Sequence, residues 1–122
     1  MKFNEKLNSS YYADYVPCNC EACENYYLQI KEKFPGICAF LEHMNVNPLK
    51  PFELIWDNEG EDYIYFGCQY LVFGELQEDY KEIIDGVEIT ENKYFHPSTG
   101  VKEEHFILDF GPIRLKNIKG GK

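Results

Sequence analysis

The chain has 122 residues and a formal net charge of −9, with 44% hydrophobic, 27% charged and 16% aromatic residues. That length suits one domain, residues 1–122, because two would each fall near the size at which a core no longer offsets its ordering cost; the aromatic share supplies large rings to fill it. The acidic balance repels phosphate backbones and anionic lipid, so neither nucleic acid nor a membrane surface is an expected partner.

The opening run Met1-Lys2-Phe3-Asn4-Glu5-Lys6 lacks the apolar core of a signal peptide, which points to a cytoplasmic protein with reduced thiols. Residues 1–17 read as an extended or irregular arm. Residues 18–46 read as a pair of helices. The first is expected to be capped by Asn19, to carry Glu21 and Glu24 in its dipole-favoured first turn, and to stop at Pro35-Gly36. Its apolar positions Cys23, Tyr26, Tyr27, Ile30 and Phe34 recur at helical spacing, so one stripe faces a core. The second helix, about Ile37 to Asn45, presents Ile37, Phe40, Leu41 and Met44 and ends before Pro48.

From Phe52 the period changes to two, and residues 52–115 read as a mainly antiparallel sheet of five to seven strands. Tyr63 to Gly74, the most apolar stretch, is too short for a helical membrane span and reads as buried strand, with Gly67 marking a tight hairpin or a bulge. Lys81 to Ile84 and Val87 to Thr90 flank Asp85-Gly86, whose positive φ angles suit a type I′ turn. Tyr94 to His96 and His105 to Phe110 suggest a further hairpin around Pro97-Ser98-Thr99-Gly100, and residues 116–122 read as a flexible tail. Two helices followed by such strands make an α+β fold, the N-terminal helical pair packed on one sheet face.

Cysteines carry the densest chemical pattern. Cys18, Cys20 and Cys23 form a Cys-x-Cys-x-x-Cys run at the start of the first helix, while Cys38 and Cys68 lie further on. Zinc takes about four soft ligands in a tetrahedron, and a helix N-terminus and the cation both favour thiolates. The candidate metal ligands are Cys18, Cys20, Cys23 and Cys38, with zinc the candidate cofactor and Cys68 or His43 as other sources of a fourth donor. A redox reading of Cys20 and Cys23 lacks the preceding βαβ strand such chemistry uses. The plainest alternative makes Cys23 a small core residue and Cys18 and Cys20 half-exposed thiols.

Nucleophilic catalysis by Cys20 needs a histidine within reach, yet His43, His96 and His105 each fall where a structural role is expected, and no catalytic motif is present. No catalytic residue is assigned, although an enzyme with a pocket between helices and sheet stays open. The run Asp57-Asn58-Glu59-Gly60-Glu61-Asp62 lacks calcium-loop spacing and reads as a solvated turn. Trp56, Tyr63, Tyr65, Tyr70 and Phe73 alternate as strand residues do, so most belong to the core.

The segment Pro17-Cys18-Asn19-Cys20-Glu21-Ala22-Cys23-Glu24-Asn25-Tyr26, followed by Asn47-Pro48-Leu49-Lys50-Pro51-Phe52-Glu53 and by Tyr63 to Gly74, resembles small uncharacterised bacterial proteins without an assigned activity. The likeness covers about residues 15–76 and implies a bacterial origin; no catalytic role carries over from it.

The charge is unevenly placed. Residues 53–91 hold twelve carboxylates against the single cation Lys81, a net −11, while residues 92–122 carry +3. Complementary potential speeds association and selects partners, so the leading expectation is a non-catalytic acidic binding protein, immunity-like or antitoxin-like, that masks a basic protein. A zinc-binding or thiol-reactive protein built on the cysteine run is the alternative.

Overall fold

A computed structural model describes residues 1–118. Its elements are β1 (Lys2–Phe3), α1 (Glu5–Asp14), α2 (Glu21–Lys33), α3 (Pro35–His43), β2 (Glu53–Glu59), β3 (Asp62–Glu75), β4 (Lys81–Ile84), β5 (Val87–Glu91), β6 (His105–Phe110) and β7 (Ile113–Lys116). The result is the α+β architecture expected, with three N-terminal helices against a seven-stranded antiparallel sheet.

The 14-residue β3 is the spine of the sheet. Along one side it pairs with β2 and, further on, with β1; along the other it pairs with β7 and then β6, beyond which lie β5 and β4. Gly67 resolves as part of a bulged single strand: Ile55 pairs with Gly67 and Trp56 with Tyr65, leaving Phe66 as the extra residue. The Asp85-Gly86 turn has φ of 54° and 75°, as a two-residue hairpin requires. Cys68, Tyr70 and Val72 pack toward α2 and α3 in the main core, while Leu71, Phe73 and Ile107 form a second cluster with Leu7, Tyr11, Phe52 and Val101 on the other face.

Three expectations are corrected. The predicted arm over residues 1–17 is strand β1 and helix α1 instead, because Asn4 caps the helix through a bond from Leu7 N to its Oδ1 and because α1 has an edge to cover. Between the end of β2 pairing and the start of β1 pairing, β3 has no strand neighbour on that side. Asn8 and Tyr12, one turn apart on α1, fill the gap: Asn8 Oδ1 accepts the Phe73 N–H at 2.8 Å and the Tyr12 hydroxyl donates to the Leu71 carbonyl at 2.7 Å. Residues 92–104 are a loop, not a strand; Tyr94 and Phe95 are 82% and 80% exposed, so they lack a core face to bury. The predicted tail at 116–122 is ordered over its first three residues, since Lys116 closes β7 and Ile118 N donates to Asn25 Oδ1; residues 119–122 lie outside the described part.

The helical pair folds as read, with shifted ends. Cys20, not Asn19, is the N-cap of α2; Glu21 and Glu24 occupy its first turn and Lys31 and Lys33 its last, in keeping with the helix dipole. Phe34 ends α2 because Pro35 disfavours a helical conformation in the residue before it, and the same proline then opens α3. Phe34 supplies no side-chain cap. Asp85, reaching from the β4–β5 turn, accepts the Ile37 N–H at 2.9 Å in its place.

Candidate metal centre

Cys18, Cys20 and Cys23 converge where the segment leaving α1 turns into α2. Their sulfurs all lie within 4.8 Å of one another, and among the described residues this is the one group of three or more cysteine, histidine or acidic side chains whose ligand atoms meet in that way. A tetrahedral zinc ion with Zn–S bonds of about 2.3 Å holds its sulfurs about 3.8 Å apart, so modest side-chain rotation closes the cluster on an ion.

Backbone amides already serve the sulfurs. Cys20 N donates to Cys18 Sγ at 3.4 Å, and Cys23 N donates to Cys20 Sγ at 3.4 Å, the latter being the N-cap bond of α2. An uncharged thiol accepts such bonds weakly, whereas a thiolate accepts them well. The Cys20 N–H accordingly lowers the Cys18 thiol, while burial, helped by the neighbouring sulfurs, pushes the Cys23 thiol up. The three thiols run from exposed Cys18 through half-buried Cys20 to buried Cys23, so one side of the cluster opens to solvent. The Tyr27 hydroxyl donates to the Cys18 carbonyl at 2.5 Å and fixes the incoming strand of chain.

The fourth candidate from the sequence is elsewhere. Cys38 is buried on α3, its S–H directed to the Ile30 carbonyl at 3.6 Å and its pKa pushed up to about 11, mainly by burial. It faces the core because α3 buries Ile37, Cys38 and Leu41 together. Cys68 is fully buried in β3 beside Tyr26. His43 lies edge-on to Phe3, His96 bonds Pro97, and His105 bridges Thr99 Oγ1 and the Glu103 carbonyl. None of these histidines joins the cysteine group.

The cluster lines one wall of a pocket of about 210 Å³, and the segment Pro51 to Trp56 forms the other. The Asn47-Pro48-Leu49-Lys50-Pro51 loop places that wall. Asn47 Oδ1 accepts Leu49 N, Lys50 Nζ reaches the Tyr12 carbonyl at 2.6 Å, and the Tyr70 hydroxyl holds the Pro48 carbonyl at 2.6 Å. Glu53 and Trp56 thereby line the same pocket as the thiols. Neither was singled out from the sequence as part of the site, since no spacing rule links them to cysteines so far upstream.

No family model matches the chain, and neither a curated protein nor a solved structure matches it. No helix among the described residues is long and apolar enough to cross a membrane.

Proposed function

We propose that the protein binds a thiophilic metal ion, zinc, through Cys18, Cys20 and Cys23, and that the ion ties the α1–α2 connection to the start of α2. The observation that carries this reading is the convergence of three sulfurs with two amide N–H groups directed at them. A bound ion is folding energy as well as a ligand, because the donors do not converge in the unfolded chain.

The test uses untagged protein purified without chelator. Elemental mass spectrometry is expected to give about one zinc per chain with the three thiols protected, and metal removal is expected to lower the melting temperature. Cys20→Ser separates the two tasks of that residue: serine caps a helix at least as well as cysteine, so the metal-free variant keeps its melting temperature while its zinc content falls. Zinc-free protein in which Cys18 and Cys20 react freely overturns the reading.

The acidic surface supports a second reading, a binding protein for a basic partner, in a narrower form. The fold divides most of the carboxylates of residues 53–91 between the β2 edge and the opposite β4 edge of the sheet. At the first, Arg114 pairs with Glu59 and Asp62, and Lys116 with Glu61. At the second, Glu78, Asp79, Glu82 and Glu88 are exposed, with Lys81 paired to Glu88. That second edge is the surface such a partner would meet.

A further inference from the structure

We infer that Glu53 is the fourth ligand of this centre, giving a Cys3Glu zinc site; the inference rests on the zinc reading above. A structural zinc ion takes four donors, and the cluster supplies three. The other cysteines and the histidines lie elsewhere, Cys38 and Cys68 in the core, His43 against Phe3, His96 at Pro97 and His105 at Thr99.

Glu53 is the single carboxylate that lines the thiol pocket. It opens β2, where pairing with Gln69 and the 2.7 Å bond from Phe52 N to the Gln69 carbonyl fix its backbone. Its carboxylate lies outside the group formed by the three sulfurs, but the side chain is exposed and makes no hydrogen bond or ion pair among the described residues, so turning it toward the thiols breaks none.

Glu21 accepts the Tyr63 hydroxyl at 2.8 Å and does not line the pocket. Three thiolates and one carboxylate around Zn²⁺ leave a net −2, the same as a four-cysteine site, and the open side of the cluster lets water screen it. A carboxylate oxygen in the donor set also favours zinc over copper(I), which prefers sulfur alone.

Cobalt(II) titration of the apoprotein tests the assignment, because it reads donor number and geometry separately. Wild type is expected to take one Co²⁺ with sulfur-to-cobalt charge-transfer bands and the intense d–d bands of a tetrahedral ion. Glu53→Gln is expected to keep the charge-transfer intensity per cobalt, since the three thiolates remain, while affinity falls at least about tenfold and the d–d bands change as water enters. Glu53→Cys is expected to restore tight binding and to raise charge-transfer intensity by about a third, the step from three sulfurs to four. As Glu53 is exposed, the apo variants should melt as wild type does.

A Glu53→Gln protein that binds cobalt with wild-type affinity and spectrum overturns the Glu53 assignment and leaves the three-thiol reading standing. Wild type that takes up no cobalt overturns both.

Discussion

Asn8 and Phe73 are joined across the edge of the sheet: the side-chain carbonyl of Asn8 accepts the Phe73 backbone N–H at 2.8 Å, and its amide donates to the Met44 carbonyl at 2.9 Å. One buried polar side chain thus ties α1 to β3 and to the end of α3. It occupies the place a strand neighbour would hold.

Asn8→Ala should therefore be costly. It strands a buried donor on Phe73 and a buried acceptor on Met44, a loss of about 2–4 kcal/mol for two unsatisfied groups and the space left behind. Ser9→Ala, at an exposed position on the same helix, should stay within about 0.5 kcal/mol of wild type. Urea unfolding measures both. Hydrogen exchange at the Phe73 amide should accelerate in Asn8→Ala, and an unchanged exchange rate would mean that the bond does not protect this edge.

The same helix shows where sequence reasoning stops. Its run Glu5-Lys6-Leu7-Asn8-Ser9-Ser10 is poor in apolar residues, and asparagine and serine favour caps and turns over helix interiors, so no apolar stripe marks α1. Its buried face is Asn8 and Tyr12. Asn4 followed by Glu5 was the available signal, a capping residue before an acidic first turn. By contrast, the α2 stripe, the Asp85-Gly86 turn and the alternation into β2 depend on local pattern alone, and each was legible. Three of the candidate ligands share one turn of chain, so their proximity follows from spacing. Cys38 was misplaced because a helix pair does not reveal which face of α3 looks back at α2, and Glu53 was missed because only the pairing of β2 with β3 brings it near.

The hydroxyls of Tyr26 and Tyr70 meet at 2.7 Å in the fully buried core, and Tyr70 also donates to the Pro48 carbonyl at 2.6 Å. Because Tyr70 has one proton and spends it on Pro48, Tyr26 is the donor in the pair. Removing each hydroxyl should have unequal effects. Tyr26→Phe leaves the bond to Pro48 intact and should cost about 1 kcal/mol, whereas Tyr70→Phe strands both the Tyr26 proton and the Pro48 carbonyl and should cost about 2–3 kcal/mol. Chemical denaturation of the two variants checks the order; equal losses would show that the chain of bonds does not run through Tyr70.

The acidic β4 edge yields a separable expectation. A lysine-rich peptide titrated into labelled protein at low salt should shift resonances of residues 78–91 more than those of the β2–β3 turn, where Arg114 and Lys116 already meet Glu59, Glu61 and Asp62. The shifts should vanish near about 0.5 M salt, where charges more than a few ångströms apart are screened. Equal shifts at both edges would reduce the acidic surface to a generic attraction.

Asp109 sets the expected pH dependence. Its carboxylate accepts bonds from Asn92 Nδ2 at 2.8 Å, from Gln69 Nε2 at 3.3 Å and from the Cys68 backbone, but burial outweighs them and holds its pKa above the ordinary 3.8. In the unfolded chain this group loses its proton near pH 4 (about 3.9), and in the fold at a higher pH. Between those values the native state binds more protons than the unfolded state, so this residue's contribution to stability falls as pH rises through the window and stays lower above it. Asp109→Asn removes the dependence. The amide also offers an N–H beside Gln69, whose buried Oε1 has no partner among the described residues. Unfolding measured from about pH 3.5 to 7, on either side of that window, should show the variant gaining on wild type as pH rises; a difference that does not vary with pH would mean that the carboxylate is not held desolvated in the fold.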